Sequence, residues 1–488
     1  MIIQGTISEW EVIIGLEVHA QLNSTSKLFS YSSSTFGGDI NEQVSFMDSA
    51  MPGILPVLNE KCVELAVKAG IALNAKINTF SVFDRKNYFY PDSPQGYQIS
   101  QFFYPIVSNG YIKIKTQDEQ EKKIIINRIH IEQDAGKSIH DQSQTETFID
   151  LNRVGVPLIE IVTNPDFNNP YEVEQFMKKL RNILRYIDVC DGNLENGSMR
   201  CDANVSVKKI GDNKLGTRVE IKNLNSFKSI NKAIVYEANR QVRLLEDGQI
   251  IVLETRLFDV HLGQTKSMRK KEDANDYRYF PDPDLLPLQI SSTYIDHLKD
   301  TLPELPEEKE YRYINEYCLS KYDAQVLTAE KKVAEFFEEV VQKVQPQIAA
   351  NWICAELFGQ LNKMAIDFND LSVSAEDFIS LLLLINSNKI SGKIAKEVLS
   401  KMLTTHDKPE EIVRTYNLLQ ISDTQEISRY VDCTIASNIT KVKDYRSGKK
   451  KLLAFFVGQV MKLSKGKANP QILHNILTKK LHLNSNDH

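Results

Sequence analysis

The chain has 488 residues and a formal net charge of −5, because 59 lysine and arginine residues stand against 64 acidic ones. With 42% hydrophobic and 25% charged residues it has the composition of a globular protein, and its length suggests roughly two to four domains. The six cysteines include no CxxC pair, which argues against a zinc ribbon or a disulfide framework. No signal sequence and no apolar run of about 20 residues is visible, so we expect a cytoplasmic protein without a membrane partner.

The N-terminal part of the chain, residues 1–292, has the pattern of a mixed α+β domain. Three segments have strand character, and the strict alternation of the first is typical of a half-buried strand. These segments are Glu11–Leu22, Ile124–Asp134 and Leu158–Val162. Helical spacing of apolar residues predicts helices over Asn59–Leu73 and Tyr171–Ile187, and Ser226 is placed to cap a third helix.

Helical periodicity dominates the remainder of the chain. Residues 293–405 are predicted to form an all-helical domain, in which one helix begins after a cap at Thr328. Two further helices of this domain are Ser374–Ile385 and Ser391–Leu403. Residues 406–488 are predicted to form a small helical tail, whose last helix opens at Asn469–Pro470.

The tail concentrates positive charge. Lys441–Lys467 holds nine lysine and arginine residues and one acidic residue, Asp444, which gives a local net charge of +8. The near-neutral total therefore conceals a segment of the kind that contacts a phosphate backbone. This density favours RNA as a partner over the alternative, which is a solvated lysine-rich helix face.

Two polar residues of the first strand are candidate metal ligands. Glu17 and His19 are two positions apart, so both project from the same face of the strand. A third candidate, Glu160, lies inside an apolar stretch, where an ionised carboxylate is costly to bury unless it has a partner or a metal.

A further carboxylate, Glu132, shares a strand face with Arg128, His130 and Asp134. One imidazole and two or three carboxylates suit Mg²⁺ or Mn²⁺ better than structural zinc. The residues alone leave a second explanation open, because the solvated face of an edge strand has the same composition.

Four segments mix basic, amide and aromatic side chains. They are Asp84–Asp92, Tyr97–Gln101, Met199–Asn204 and Glu220–Ser226. Arginine and lysine donate to phosphates and carboxylates, so these segments are candidates for holding a nucleotide or an acidic substrate. Composition explains them equally well as hydrogen-bonded loops.

Long strings, in order along nearly the whole chain, resemble the family formed by the B subunit of the aspartyl/glutamyl-tRNA(Asn/Gln) amidotransferase. The strings are EVIIGLEVHAQL (Glu11–Leu22), DRKNYFYPDSPQGYQISQ (Asp84–Gln101), IDLNRVGVPLIEIVT (Ile149–Thr163), RCDANVSV (Arg200–Val207), EIKNLNSF (Glu220–Phe227), DYRYFPDPDLLP (Asp276–Pro287) and GQVMKLSKGKANPQ (Gly458–Gln471).

The resemblance implies one component of a heterotrimeric ligase that uses glutamine as amido donor. Its implied partners are the A subunit, which is a glutaminase that releases ammonia, the C subunit, and mischarged tRNA. With ATP and Mg²⁺, the B subunit phosphorylates the side-chain carboxylate of Glu-tRNA(Gln) or Asp-tRNA(Asn), and ammonia then displaces phosphate. The implied fold is a cradle-like α+β domain, a helical domain and a tail that contacts tRNA, which agrees with the three units predicted from periodicity.

The resemblance also implies roles for single residues. The implied Mg²⁺ ligands are His19, Glu132 and Glu160. The implied catalytic residues are Glu17, Glu195, Arg200 and Lys222. The implied cofactor-binding residues are Arg85, Lys86, Asp202 and Asn223. The expected tRNA-binding residues are Lys449, Lys450, Lys451, Lys462, Lys465 and Lys467.

One stretch departs from the family pattern. Many members carry two cysteine pairs that bind zinc, where this chain has Phe29-Ser-Tyr-Ser32 and Ser45-Phe-Met-Asp48. The thiolates are replaced by Ser30, Ser32, Ser45 and Asp48. We therefore expect no structural zinc.

Two other functions compete with the amidating role. A noncatalytic tRNA-binding scaffold of the same complex would not need the metal-type residues. A stand-alone metal-dependent hydrolase of small phosphate esters would leave the basic tail unexplained. The chain has no Gly/Ser-rich amidase stretch, which agrees with ammonia supplied by a separate chain.

Overall fold

The computed structural model describes residues 1–143, 145–270, 274–421 and 423–482. They form two compact units, Met1–Pro306 and Glu307–His488. Every strand of the described residues lies in the first unit and the second is helical, so the α+β fold class is confirmed. The boundaries of the three predicted domains stay a prediction. Three separate hydrophobic cores span residues 10–298, 313–413 and 427–481.

The first unit is built around one large sheet. The strands of the first unit, not all of which belong to this sheet, are β1 (Ile2–Gln4), β2 (Glu9–Gln21), β3 (Lys76–Ile77), β4 (Phe80–Ser81), β5 (Asp84–Asn87), β6 (Tyr97–Ser100), β7 (Val107–Lys115), β8 (Glu121–Gln133), β9 (Lys137–Ile139), β10 (Phe148–Asp150), β11 (Pro157–Thr163), β12 (Met199–Lys209), β13 (Val219–Lys222), β14 (Glu254–Asp259), β15 (Gln264–Lys270), β16 (Phe280–Pro281) and β17 (Leu288–Gln289). The order in the large sheet is β15-β14-β13-β12-β2-β11-β8-β7-β3, and β1 pairs with β2. Neighbours are antiparallel except β13 and β14.

Helices cover the apolar face of this sheet. They are α1 (Glu60–Ala72), α2 (Pro170–Tyr186) and α3 (Phe227–Glu246), and α4 (Ser292–Asp300) packs against α1. Val18 of β2 and Ile161 of β11 are buried in one core with Phe176 of α2 and Ile234 of α3. The predicted cap of α3 is confirmed, since the Ser226 side chain accepts a hydrogen bond from the Ser229 amide.

The second unit contains the remaining α-helices. They are α5 (Pro306–Asn315), α6 (Lys321–Thr328), α7 (Lys331–Val341), α8 (Pro346–Asn351), α9 (Phe358–Met364), α10 (Ala375–Asn386), α11 (Gly392–Thr405), α12 (Pro409–Thr415), α13 (Thr424–Ala436), α14 (Ile439–Arg446), α15 (Leu452–Leu463) and α16 (Pro470–His482). A π-helical turn, Trp352–Leu357, joins α8 to α9. No helix in the described part of the chain is both long and apolar enough to cross a membrane.

The predicted cap at Thr328 is wrong. Thr328 is the last residue of α6, where its hydroxyl donates to the Ala324 carbonyl four residues earlier, and α7 begins only after Glu330. The predicted start at Asn469 is confirmed, because its side chain accepts a hydrogen bond from the first turn of α16. Ser374 and Ser391, where two helices were predicted to begin, cap α10 and α11 in the same way.

Candidate active site

Four strands bring polar side chains into one row across the face of the large sheet opposite the helices. Arg200 of β12 lies opposite His19 of β2, His19 lies opposite Glu160 of β11, and Glu160 lies opposite His130 of β8. Side chains alternate between the faces of a strand, so the residues two positions away share this face. The apolar residues between them point to the helices, which explains how one sheet supplies both a core and a polar surface.

A cavity of about 600 Å³ opens on this polar face. Nine residues predicted for the site line it: Glu17, His19, Lys86, Glu132, Glu160, Arg200, Asp202, Lys222 and Asn223. The predicted residues Arg85 and Glu195 are not among the lining residues. Arg85 instead pairs with Asp282 and Asp284, and Glu195 lies exposed in the turn before β12. Their functional roles stay predictions.

The three predicted metal ligands converge at one end of the cavity. Ligand atoms of His19, Glu132 and Glu160 all lie within 4.8 Å of one another. The His19 Nε2 atom is 3.4 Å from Glu132 Oε1 and 3.5 Å from Glu160 Oε2. One imidazole nitrogen and two carboxylates are a donor set that suits Mg²⁺ or Mn²⁺. Their role as ligands stays a proposal.

The charges of this cluster stabilise each other. Burial opposes ionisation of His19, but hydrogen bonds to Glu132 and Glu160 raise its pKa well above the usual value. Burial also opposes ionisation of both carboxyl groups, and their contacts with His19 and His130 outweigh it and lower both pKa values. These shifts favour ionised carboxylates, which is the form that binds a divalent cation, and a protonated His19, which would have to release its proton before its nitrogen could bind a metal.

Basic side chains on the neighbouring strands are held by carboxylates. Lys222 donates to Asp202, and its Nζ atom lies 3.0 Å from Glu220. Burial acts against the Lys222 charge, but these two carboxylates raise its pKa. Arg200 Nη2 donates to Asp134 Oδ2 at 2.6 Å. The cavity thus presents preoriented cations of the kind that bind phosphates.

An aromatic wall on the cavity was not predicted. Phe102 stacks on Tyr279 with ring centroids 4.1 Å apart, and the Lys86 ammonium lies 4.9 Å from the Tyr277 ring centroid. The sequence marked Tyr277 and Tyr279 only as part of a matching string. Distant segments supply Phe102 and Tyr279, so no local spacing connects them.

The stretch that lacks the family's cysteines is organised by a lysine. Lys27 Nζ donates to Asp48 Oδ2 at 3.0 Å and to the Gln43 carbonyl at 2.6 Å. The hydroxyl of Ser30 and the amide of Ser45 also donate to the Asp48 carboxylate. An ammonium group therefore connects the two segments, Phe29–Ser32 and Ser45–Asp48, in which no structural zinc was expected.

The basic tail exposes most of its charge. Five of the predicted tRNA-binding lysines are exposed and Lys467 is half-buried. Lys450 lies 4.7 Å from the centroid of the Tyr445 ring. The core beneath contains Phe456 and Val460 of α15 and Leu473 of α16. Apolar side chains thus hold the helices together while the lysines remain available to a polyanion.

The fold and the cavity define a chain with a mixed α+β unit that carries a polar cavity, followed by a helical unit. The family model described as the GatB/GatE catalytic domain matches residues 12–296, and the model described as the GatB domain matches residues 335–481. The chain belongs to the B-subunit family of the aspartyl/glutamyl-tRNA(Asn/Gln) amidotransferases.

Individual relatives that carry this name match nearly end to end. The proteins from Rickettsia rickettsii (strain Sheila Smith) and Rickettsia felis are 56% identical over 479 residues, which cover 98% of this chain and 99% of each relative. The protein from Rickettsia prowazekii is 55% identical over the same shares. The name of these relatives denotes one component of a multi-subunit enzyme.

Proposed function

We propose that this chain is the amidating component of a glutamine-dependent ligase acting on Glu-tRNA(Gln), Asp-tRNA(Asn) or both. ATP and Mg²⁺ are its proposed cofactors, and the A and C subunits its proposed partners. The observation that carries the proposal is the convergence of His19, Glu132 and Glu160 in a cavity of the segment matched by the catalytic-domain model. A noncatalytic scaffold would have no use for this costly cluster.

The chemistry explains why phosphate is needed. A carboxylate is a poor acceptor for ammonia, because its oxygen is a poor leaving group. Transfer of the γ-phosphoryl group of ATP to a side-chain carboxylate oxygen gives an acyl phosphate and ADP. Ammonia then forms a carbon–nitrogen bond, the carbon–oxygen bond to phosphate breaks, and the nitrogen loses a proton. The protein must supply positioning and charge neutralisation.

Each part of the cavity has a place in this reaction. His19, Glu132 and Glu160 would hold Mg²⁺, which when bound neutralises charge on the phosphates. Arg200 and Lys222 bind phosphate oxygens or the substrate carboxylate, and Lys86, Asp202 and Asn223 orient the nucleotide. Glu17 shares a strand face with His19 and lines the same cavity, where it accepts the proton that nitrogen releases.

The tail and the partners complete the proposal. The exposed lysines of the tail bind the tRNA phosphate backbone, which accounts for the local charge of +8 in Lys441–Lys467. Ammonia comes from the glutaminase, and the C subunit belongs to the same heterotrimer. This assignment leaves no role for a stand-alone hydrolase.

Reconstitution tests the proposal. The full chain is combined with the A and C subunits and supplied with glutamine, ATP, Mg²⁺ and each mischarged tRNA. The expected result is ATP-dependent conversion of the attached Glu or Asp to the amide, measured by mass spectrometry of the released amino acid. Failure with both tRNAs, or turnover of small phosphate esters without tRNA, would overturn it.

A further inference from the structure

Arg85 belongs to the predicted cofactor-binding set, but it is not among the described residues that line the cavity. It lies on β5, and its guanidinium group donates to two carboxylates of the segment Tyr277–Asp284, which we call the strap. Nε donates to Asp282 Oδ2 at 2.9 Å, and Nη2 donates to Asp284 Oδ2 at 2.7 Å and to Asp282 Oδ1 at 3.2 Å. The planar fork of an arginine suits this grip on two carboxylates better than a lysine would.

The attachment of the strap to β5 is partly buried. The Asp282 side chain is completely buried, and its backbone amide donates to the Phe83 carbonyl at 2.8 Å. Phe280 of β16 pairs with Arg85 across the two strands. The other side of the guanidinium group has a ring to pack on, since it lies 4.2 Å from the Tyr97 centroid. A buried carboxylate depends on its cation, so loss of Arg85 should loosen the strap.

The opposite end of the strap carries the aromatic wall of the cavity, which contains Tyr277 and Tyr279. The Asn87 side chain, also on β5, donates to the carbonyls of Tyr277 and of the next residue at 3.0 and 2.9 Å. Asp84, at the start of β5, accepts a hydrogen bond from the Phe102 amide at 2.8 Å. A single short strand therefore holds both sides of the stacked Phe102–Tyr279 pair.

We propose that Arg85 is a positioning residue, which through Asp282 and Asp284 holds the strap against β5 and keeps its two tyrosines on the cavity wall. This role replaces the cofactor-binding role that the resemblance implies for Arg85. The kinetic consequence rests on the proposed function, whereas the attachment of the strap does not. Displacement of a group in a site by about 1 Å can lower a rate by about 100-fold, so Arg85 should affect catalysis from outside the cavity.

Hydrogen–deuterium exchange of the full chain tests the attachment. In Arg85→Met we expect the backbone amides of the strap to exchange on the order of 10-fold faster, because local opening no longer breaks an ion pair. Asp282→Asn should have the same effect. Arg85→Lys keeps the charge but loses the planar fork, so its effect should be intermediate. Arg243→Met removes an exposed arginine of α3, on the other face of the sheet, and should leave the exchange of the strap unchanged.

Amidation by the complex assembled with the A and C subunits tests the kinetic consequence. We expect Arg85→Met and Asp282→Asn each to lower kcat/KM by about 10- to 100-fold, while glutaminase activity verifies that the complex is assembled. In a variant with both Tyr277→Ala and Tyr279→Ala, the change Arg85→Met should add little further loss, because all three changes act through the same wall.

Three results would overturn the inference. If Arg85→Met raises the KM for ATP and Asp282→Asn does not, Arg85 is a nucleotide ligand. Strap exchange at the wild-type rate in Arg85→Met and Asp282→Asn would contradict the attachment, and losses that multiply in the variant without the tyrosines would contradict the shared wall. If the wild-type complex does not amidate, the proposed function fails, but the exchange experiment still decides the attachment. Arg85→Lys and Asp282→Asn decide it if Arg85→Met does not fold.

Discussion

The ammonium group of Lys27 lies 3.0 Å from the carboxylate of Asp48, and both side chains are almost completely buried. Burial lowers the pKa of Lys27, although Asp48 acts in the opposite direction. Additional donors from Ser30 and Ser45 satisfy Asp48. The pair therefore belongs to the buried, hydrogen-bonded class, in which each charge depends on its partner.

Removal of Lys27 alone should destabilise the first unit. Lys27→Met leaves the Asp48 charge buried without its cation, which typically costs about 3–5 kcal/mol. The measurement is calorimetric unfolding, with the exposed Lys61→Met as control. The double variant Lys27→Met with Asp48→Leu should recover most of the loss, because no unpaired charge remains. An unchanged transition in Lys27→Met would contradict this account.

The Lys27–Asp48 ion pair also leads us to predict that the chain binds no structural zinc. The Lys27 ammonium group already lies against the carboxylate and the Gln43 carbonyl, and neither segment, Phe29–Ser32 nor Ser45–Asp48, contains a cysteine. After chelation, refolding in zinc and dialysis, elemental analysis should find far less than one zinc per chain. Stoichiometric zinc would show that other side chains replace the thiolates.

Glu160 is the most informative residue of the proposed catalytic site. Glu160→Gln retains the shape of the side chain but removes the charge that pairs with His19 and His130. We expect loss of the ATP-dependent activation of aminoacyl-tRNA with tRNA affinity near that of the wild type. Labelled phosphate release and filter binding measure the two properties. Glu174→Gln on α2 is the matched control, and normal activation by Glu160→Gln would favour a scaffold.

The tail should control tRNA affinity through charge. Replacement of Lys449, Lys450 and Lys451 by glutamate should raise the KM for tRNA and flatten its salt dependence, because fewer counterions are released on binding. Glutaminase activity of the assembled complex should change little. A control with equal charge change replaces three exposed lysines outside the tail, Lys332, Lys343 and Lys393. Equal effects in both variants would mean that net charge alone is responsible.

We predict that the contact between Glu246 and the N-terminal segment weakens in acid. The Glu246 carboxylate accepts hydrogen bonds from the side chains of Thr6 and Trp10 and from the backbone amides of Thr6, Ile7 and Ser8. These bonds, that of the Thr6 side chain above all, lower the pKa of Glu246 to about 2. A lowered folded-state pKa gives stability that is present above the usual value of 4.5 and is lost as pH falls toward 2. The Tm difference between wild type and Glu246→Gln should therefore be largest near neutral pH and narrow below pH 4.5. A constant difference would contradict the assignment.

Local sequence patterns predicted the helices and strands better than they predicted the candidate active site. Alternation identified β2, and helical spacing with capping residues identified α2 and α3, because these signals lie within one segment. The predicted cap at Thr328 was wrong because a threonine hydroxyl is equally suited to the end of a helix, where it donates to the carbonyl four residues earlier. Lys27 gave no signal, since its carboxylate partner is fixed only by the folded loop.

The convergence of His19, Glu132 and Glu160 was beyond spacing arguments. They lie on three strands whose order in the sheet differs from their order in the chain. The chemistry of these residues made them candidate ligands, but only the resemblance to a known family singled out these three as one set. His130 shares the strand face of Glu132, so the alternation of β8 already contained the signal that it faces the same cavity.

The polar row across β12, β2, β11 and β8 makes the site depend on the correct register of these strands. Shifting β11 by one residue against its neighbours would turn Glu160 toward the helix-covered core and bring an isoleucine to the cavity. A sheet with slipped register would therefore be unstable and would also lack the cluster proposed to bind the metal. If the proposed function is right, the chain consumes nucleotide only after distant strands have paired correctly, and a copy with slipped register hydrolyses no ATP.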